Sequence, residues 1–415
     1  MIERIAILGG SSVYIPEFIL SLVSRNINVK EVVLIGREGP KLPLVAAFCQ
    51  RLMDRSGFPA KVIGTTDVAE GVQNAKYIIN HIRVGGMPAR QRDEVLPPKF
   101  GMIGDETLGA GGCANALRTL PIVLQYAELI AQSNPDATFI NLTNPTGILV
   151  EALSKCTDLR VIGVCDLPGT YVRKISAILR VPPDALQVDY VGLNHLGWIQ
   201  DVKLDGKSRM ERILDQLEHH QDDGFDHELV QLFRMIPIHT VGLFFRQDVI
   251  LKKQLACARS RGEILYEAEQ QILKLYDDPS LAEIPELTRA RNAVWYDETI
   301  APLLQMLEEK HDRESILCVR NDGALRDLPE DCSVEVPVRL TKQGLEPRRI
   351  GDCPRFLRGL FHSVKESDRL IVEAVRHKSY ESALQALTIN PLVPSLDAAR
   401  GFLDRIIKEE SIELY

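Results

Sequence analysis

Residues 139–198 contain three short apolar runs, and each run ends in polar residues that can take part in chemistry. They read FINLTNPTG from Phe139, VIGVCDLPG from Val161 and DYVGLNHLGW from Asp189. Short apolar runs closed by turn residues are typical of buried strands. In open parallel sheets, ligands gather at the carboxyl ends of the strands. If these strands are neighbours, an α/β fold brings five polar residues to one crevice, namely Asn144, Cys165, Asp166, Asn194 and His195.

Cys165 and His195 are the first candidates for chemistry, because thiolate and imidazole are both good ligands for divalent transition metals. They are far apart in the sequence, so they do not form a local metal finger. A buried cysteine that packs as a small hydrophobe beside a core histidine is the alternative interpretation. The polar neighbours Asp166 and Asn194 favour a site, because unpaired polar groups directly after buried strands are costly.

The N-terminus has the order of strand, glycine turn and helix that opens dinucleotide-binding folds. An apolar strand over Arg4–Leu8 is followed by Gly9, Gly10 and Ser11, and then by a helical run that starts at Glu17. Backbone N–H groups in such a turn can hold a pyrophosphate. The full GxGxxG spacing is missing, so an ordinary strand-to-helix turn is an equally good interpretation of this segment alone.

Gly36 and Arg37 follow the second predicted strand, Val32–Ile35. Dinucleotide-binding folds usually carry an acidic residue at this position, where it binds the adenosine ribose of NAD. Its absence leaves NADP as an alternative to NAD, since Arg37 is suited to meet a 2′-phosphate. A solvated loop charge is an equally good interpretation of Arg37.

Composition excludes several classes of protein. The 415 residues are enough for a large core and two lobes, and 45% hydrophobic with 26% charged residues is ordinary for a soluble globular protein. The net charge of −8 disfavours nucleic-acid binding. There is no run of about 18 apolar residues and no secretory signal pattern, so no membrane partner is predicted. The eight scattered cysteines fit reduced thiols, which predicts a cytoplasmic protein.

Several segments, taken in order, resemble those of glycoside hydrolase family 4, a family of NAD- and metal-dependent glycosidases. The matching segments are spread over nearly the whole chain. In chain order they are the GGS turn, IRVGGMPARQRDE, GDETLGAGG, NLTNP, CDLP, GLNHLGW, LPEDCSVEVP, ESDRLIVEAV and ALTINPLV. The resemblance implies an N-terminal Rossmann-type doubly wound sheet in residues 1–170. It implies an α+β domain in residues 171–415 that binds substrate and metal and forms a homodimer or homotetramer.

The resemblance also assigns roles to individual residues. Cys165 and His195 match the metal ligands, with manganese as the expected metal. The residues matched to the nicotinamide cofactor are Gly9, Gly10, Ser11, Arg83 and Asn141, and Arg37 is added to them from its position after the second strand. The residues matched to the sugar phosphate are Arg90, Asn144, Asn194 and Arg261. Asp166 is expected to protonate the leaving group, and Gly109–Gly112 is expected to be a loop that closes over the site.

The implied reaction uses the cofactor within one turnover. Family members oxidise the sugar C3 hydroxyl with bound NAD, remove the C2 proton, expel the group at C1, add water and reduce the ketone again. The implied substrates are phosphorylated glycosides, and most matching segments favour 6-phospho-β-glucosides. The CDLP segment around Asp166 is more typical of 6-phospho-α-glucosidases, which are the alternative.

The segment that begins at Ile236 departs from the β-type members, which carry a catalytic Tyr base where this chain has Thr240. A threonine hydroxyl does not titrate in the accessible range, whereas the neighbouring His239 does. We therefore expect slow hydrolysis, or a base other than the family Tyr, with His239 and Thr240 as the candidates. Two other functions are compatible with the sequence: a sugar-phosphate-binding relative that has lost hydrolysis, and a dehydrogenase related to malate dehydrogenase.

Overall fold

The structure, a computed structural model, describes residues 1–219, 224–291, 294–309, 313–341 and 344–415. Within these residues, thirteen strands form one sheet that crosses the whole molecule. The strands are β1 (Ile2–Leu8), β2 (Val29–Ile35), β3 (Lys61–Thr65), β4 (Tyr77–Asn80), β5 (Thr138–Asn141), β6 (Arg160–Gly163), β7 (Leu186–Leu193), β8 (Leu196–Leu204), β9 (Lys207–Ser208), β10 (Ile236–Pro237), β11 (Arg313–Arg320), β12 (Ser333–Thr341) and β13 (Gly344–Pro347).

The first six strands form the dinucleotide-binding half of the sheet. They are all parallel and lie in the order β3-β2-β1-β4-β5-β6. This order is that of a doubly wound dinucleotide-binding fold, so the predicted Rossmann-type sheet is confirmed. Ile5 and Ile7 of β1 belong to one hydrophobic core, and Ala6 and Leu8 belong to the other. Burial on both faces explains why these strands are continuous apolar runs.

Strands from the second half of the chain extend this sheet beyond β6. The antiparallel pair β11–β12 lies between β6 and β7, and β7 pairs in turn with β8. The runs that end at Asn141 and Gly163 are therefore neighbours, as expected, but the run that ends at Leu193 is separated from them by two strands. β11 and β12 come from a distant part of the chain, so local sequence patterns do not predict where they insert.

Helices surround the sheet. They are α1 (Ile15–Ser24), α2 (Lys41–Arg55), α3 (Val68–Val72), α4 (Gly86–Val95), α5 (Gly109–Ser133), α6 (Thr146–Cys156), α7 (Asp166–Leu179), α8 (Met210–His219), α9 (His227–Phe233), α10 (Gly242–Phe245), α11 (Gln247–Ala256), α12 (Arg261–Tyr276), α13 (Ala301–Glu309), α14 (Arg358–His377), α15 (Tyr380–Ile389) and α16 (Leu396–Glu410). None of the helices in the described ranges is both long and apolar enough to cross a membrane. The boundary expected at residue 170 lies inside α7 and the sheet continues across it, so the division into two domains stays a prediction.

The glycine-rich segment Gly109–Gly112 forms the first turn of α5, so its prediction as a loop is wrong. Its glycines are needed because neighbouring backbone lies very close. A Cβ on Gly111 would lie 2.2 Å from the carbonyl oxygen of Asp105, and one on Gly112 would lie 2.3 Å from that of Thr107. The glycines thus let α5 pack directly against residues 105–107, which line the larger of the two cavities described below.

Candidate active site

Two adjoining cavities lie where the parallel strands end. The larger has a volume of about 1010 Å³ and the smaller about 740 Å³. His81, Ile82, Arg83 and Arg291 line both cavities, so these residues form the junction between them. His81 and Ile82 directly follow β4, which places the junction at the carboxyl edge of the parallel strands. Ligands of doubly wound sheets bind at this edge.

The smaller cavity holds most of the residues predicted to contact the cofactor. Gly9, Ser11, Arg37 and Arg83 line it. Gly9 has a φ of 91°, and a Cβ there would lie 2.4 Å from the carbonyl oxygen of His81. Only glycine fits such a turn, because other residues have neither the space nor the backbone freedom.

Gly10 and Asn141 do not line either cavity. Gly10 lies against β2, where a Cβ would be 2.6 Å from the Cα of Leu34. Asn141 is fully buried; its side-chain oxygen accepts a hydrogen bond from Asn80, and its amide donates to the carbonyl oxygen of Thr143. Both residues support the ends of the strands, and their direct contact with a cofactor stays a prediction.

Cys165 and His195 line the same larger cavity. Cys165 immediately precedes α7, and His195 lies in the turn between β7 and β8 with a φ of 64°. Burial, assisted by the carboxylates of Glu335 and Asp166, raises the pKa of the Cys165 thiol well above its usual value. Burial lowers the pKa of His195 to about 4, so its imidazole is neutral at neutral pH and available as a ligand.

The atoms around this pair fit a divalent metal. Asn194 Oδ1 and His195 Nδ1 are buried without a hydrogen-bond partner in the described part of the chain. Unpaired buried polar atoms are costly, and a bound cation or ligand would relieve that cost. Across the described ranges, His, Cys, Asp and Glu side chains form no group of three or more that could hold a metal. If Cys165 and His195 held a metal, no third His, Cys, Asp or Glu from the described ranges would join them, and positions would stay open for substrate or water, as metal catalysis requires.

Glu335 is a functional candidate that the sequence reasoning missed. It is fully buried, and its carboxylate accepts hydrogen bonds from Asn194 Nδ2 at 2.9 Å and from the Tyr190 hydroxyl at 2.6 Å. Burial raises the pKa of Glu335 to about 7. Asn194 in turn opposes the rise in the pKa of the Cys165 thiol, so Glu335 helps to orient a residue beside the metal pair. A charged residue inside the apolar strand SVEVPV was the signal that would have identified it.

Glu106 is a second functional candidate that the sequence reasoning missed, and it forms ion pairs with both Arg83 and Arg90. Arg90 is buried and pairs with Glu106 at 2.9 Å and with Glu94 at 2.9 Å, while Arg83 also contacts Glu106. Burial alone would raise the pKa of Glu106, but the two guanidinium groups prevail and hold its pKa below the usual range. All four side chains line the larger cavity. Glu106 lies in the GDETLGAGG segment, where an acid within a glycine-rich stretch was the available signal.

The other predicted site residues also line the larger cavity, namely Asn144, Asp166, His239, Thr240 and Arg261. Arg261 is the first residue of α12 and is exposed to the cavity, with no ion pair or hydrogen bond to any described residue. His239 also opens to the cavity, yet the surrounding protein removes enough water to lower its pKa, and the Asp166 carboxylate opposes this shift. His239 is therefore a neutral imidazole at neutral pH and can accept a proton.

Aromatic residues and Arg291 surround the junction between the cavities, and the sequence reasoning missed all of them. The Tyr296 hydroxyl lies 2.7 Å from His81 Nδ1. The Arg291 guanidinium lies 5.0 Å from the centre of the Tyr14 ring and 4.9 Å from that of Trp295. Burial, with the charges of nearby arginines, lowers the pKa of Arg291 to about 10. The contacts with His81 and Tyr14 join distant parts of the chain, so no local pattern predicts them.

Known proteins resemble this chain over its whole length. A probable 6-phospho-beta-glucosidase of Bacillus subtilis is 32% identical to this chain, and the alignment covers 98% of this chain and 96% of that protein. The structure of the 6-phospho-beta-glucosidase of Thermotoga maritima with manganese, NAD+ and glucose-6-phosphate has a TM-score of 0.91 at 29% identity and covers all of both chains. A 6-phospho-alpha-glucosidase from gut microorganisms, solved with NAD and glucose-6-phosphate, has a TM-score of 0.90 at 26% identity, again over both whole chains.

Family models match both halves of the sequence. The family 4 glycosyl hydrolase model matches residues 4–181, and the model of the family 4 glycosyl hydrolase C-terminal domain matches residues 190–393. The matched ranges contain all the residues that line the two cavities, together with Glu335 and Tyr296. The chain belongs to glycosyl hydrolase family 4.

Proposed function

We propose that this protein hydrolyses 6-phospho-β-glucosides with the help of a nicotinamide dinucleotide and a divalent metal. One observation carries the proposal: the cavity lined by Cys165, His195 and Asp166 shares His81 and Arg83 with a second cavity, which is lined by the Gly9 turn. Such a junction brings a dinucleotide and a sugar together. The β-glucosidase names of the most similar relatives favour the β anomer, while the α anomer is the alternative that Asp166 suggests.

Two bound groups would supply chemistry that side chains lack. A divalent metal, manganese by analogy with the relatives, would be held by Cys165 and His195 and would act as a Lewis acid. A dinucleotide in the smaller cavity would accept a hydride from the sugar and return it. The reaction then needs no second carboxylate nucleophile, in contrast to the usual glycosidase mechanism.

The chain's own residues bind and orient the sugar. Asn144 lines the larger cavity and offers its amide group to the sugar hydroxyls. Asn194 does not line that cavity and its amide nitrogen already donates to Glu335, so only its unpaired Oδ1 remains for a ligand. Arg90 is already engaged by Glu94 and Glu106, whereas Arg261 keeps all its donors free within the described structure. A guanidinium with free donors matches a phosphate group in geometry and charge. We therefore assign the principal contact with the 6-phosphate to Arg261 and a supporting role to Arg90.

Proton transfers fall to Asp166 and His239. His239 is neutral at neutral pH, so it can remove the C2 proton once oxidation at C3 has acidified it. Asp166 lines the same cavity and is positioned to protonate the leaving group. A relative that binds sugar phosphate without hydrolysing it needs neither proton transfer, so turnover of the phosphorylated glucoside separates the two functions. A dehydrogenase reaction would release NADH into solution, whereas the proposed reaction returns the hydride in each turnover.

We also propose that the protein works in the cytoplasm as a homodimer or homotetramer. All eight cysteines lie in described ranges and are unpaired, which fits a reducing compartment. Several large apolar side chains are exposed on one copy, including Leu255 at 62% and Phe356 at 50%. Exposed apolar surface of this kind is suited to burial between subunits. Light scattering of the purified protein measures the assembly directly, and a monomer at all concentrations would contradict this part of the proposal.

A comparison of four nitrophenyl glucosides tests the proposed function: the β and α anomers, each with and without a 6-phosphate. With manganese and a nicotinamide dinucleotide supplied, we expect turnover of the phosphorylated β anomer only. Arg261→Ala should raise the KM for it by about tenfold or more, because one charge-assisted phosphate contact is lost. Arg405→Ala is the matched control, since Arg405 is occupied by Glu409 on α16 and lines neither cavity. Equal turnover with and without the phosphate would refute the proposal.

A further inference from the structure

The end of β2 borders the smaller cavity and lacks the acidic residue that usually recognises an adenosine ribose. Gly36 stands at that position and lines the cavity. Its φ is outside the left-handed region, so the backbone does not require glycine there. A Cβ would lie 3.1 Å from Leu42 Cδ1 and 3.4 Å from Ser11 Oγ, close but not prohibitive. The missing carboxylate therefore reflects what this end of the cavity binds rather than how the chain turns.

Four charged side chains line this end of the cavity, namely Arg37, Glu38, Lys41 and Glu269. Lys41 is neutralised by an ion pair with Glu269. Arg37 is exposed to the cavity and has no hydrogen-bond or ion-pair partner among the residues that the structure describes, Glu38 included. Its guanidinium therefore keeps every donor available. In dinucleotide-binding folds, an acid at this position binds the ribose 2′-hydroxyl, whereas an arginine nearby accommodates a 2′-phosphate.

We propose that this end of the cavity binds a 2′-phosphate, so that the protein takes NADP+ in preference to NAD+. The proposal rests on the dinucleotide assignment made above for the smaller cavity. Arg37 supplies a planar fork of donors and a full positive charge for the phosphate, and Gly36 leaves room beside Ser11 for its oxygens. An aspartate in place of Gly36 would instead repel the phosphate and accept the ribose hydroxyl of NAD+.

Calorimetric titration of the full-length protein with each cofactor tests this preference, without sugar or metal and at one fixed salt concentration. We expect NADP+ to bind about tenfold more tightly than NAD+, as one additional phosphate contact allows. Arg37→Ala should weaken NADP+ binding about tenfold and bring the ratio of the two dissociation constants close to one. Gly36→Asp should reverse the preference. Arg55→Ala is the matched control, because Arg55 lies at the far end of α2 and pairs with Glu283 outside the cavity.

The outcomes separate this inference from the function on which it rests. NAD+ binding more tightly than NADP+ to the unmodified protein would overturn the inference and leave the proposed function intact. Unchanged NADP+ affinity in Arg37→Ala would also overturn it, because the phosphate would then be held elsewhere. Binding of neither cofactor would overturn both, since the smaller cavity would not be a dinucleotide site.

Discussion

Thr240 Oγ1 donates a hydrogen bond to the main-chain carbonyl oxygen of His195, 2.7 Å away. His195 adopts a left-handed backbone conformation with a φ of 64°, which few residues other than glycine take up. The Thr240 hydroxyl is buried and its hydrogen is used by this bond. Thr240 therefore holds a proposed metal ligand in place, which is a different role from the proton abstraction expected of a tyrosine at the same position.

Replacing Thr240 with valine should weaken metal binding. The change keeps the shape of the side chain but removes the donor that fixes the His195 turn. Loss of a hydrogen bond that orients a metal ligand typically lowers affinity by about 10- to 100-fold. Manganese titration of Thr240→Val measures this, and Thr240→Ser should retain most of the affinity. Lost activity with unchanged manganese affinity would contradict this role and place Thr240 at the reacting atoms.

Replacing His239 with alanine should lower the hydrolysis rate by about 10²- to 10⁴-fold, the usual contribution of a positioned general base. Burial lowers the pKa of His239 below its ordinary value of 6.5, so the active neutral form is lost only as the pH falls below that value. The acidic limb of the profile of kcat/KM against pH should therefore lie below 6.5 and disappear in His239→Ala. His377→Ala, on the exposed end of α14, is the control. An unchanged profile would show that the base lies elsewhere.

Cys165→Ser and His195→Ala should each lose stoichiometric manganese. The two side chains line the same cavity and are the proposed ligands, so removing either would leave a single one of them. Metal content after dialysis, measured by mass spectrometry, gives the result directly. Cys113→Ser serves as the control, because Cys113 is a buried thiol that lines neither cavity. Full manganese content in both site variants would refute the assignment of the metal ligands.

Where polar residues follow a strand, the sequence predicted their place in the fold, while their roles stay predictions. Cys165 and Asp166 come soon after β6, and Asn194 and His195 come directly after β7. The change from apolar to polar residues at the end of each run therefore identified all four. The glycine turn at Gly9 was marked in the same way. Both signals are local, because strand ends and tight turns are set by neighbouring residues.

Residues brought in by tertiary contacts were not predictable in this way. Glu335 accepts a hydrogen bond from Asn194 because β12 inserts between β11 and β7. Arg291 contacts the ring of Tyr14, although the two residues are far apart in the sequence. Gly109 and its neighbours were mistaken for a loop because glycine is a helix breaker in isolation. Close packing against residues 105–107 outweighs that local preference.

Glu335 should make the metal-free protein less stable as the pH rises. Burial raises its pKa from 4.5 to about 7, so the folded protein keeps a proton that the unfolded chain has already released. This stability is complete below pH 4.5 and is lost as the pH rises through about 7. Glu335→Gln cannot ionise, so its free energy of unfolding should improve relative to the unmodified protein by up to ~3 kcal/mol between about pH 5 and about pH 8. Urea unfolding of both proteins at both pH values tests this. If the difference between their free energies of unfolding is the same at the two pH values, Glu335 is not a buried carboxyl that stays protonated in the folded protein.

The most direct test of the proposed reaction is hydrolysis of a 6-phospho-β-glucoside in deuterated water. Removal of the C2 proton by a base such as His239, followed by its return, exchanges that hydrogen with the solvent. We expect the released glucose 6-phosphate to carry deuterium at C2 and no NADH or NADPH to accumulate. Glucose 6-phosphate released with only hydrogen at C2 would refute the proposed reaction, because hydrolysis would then proceed without oxidation and elimination.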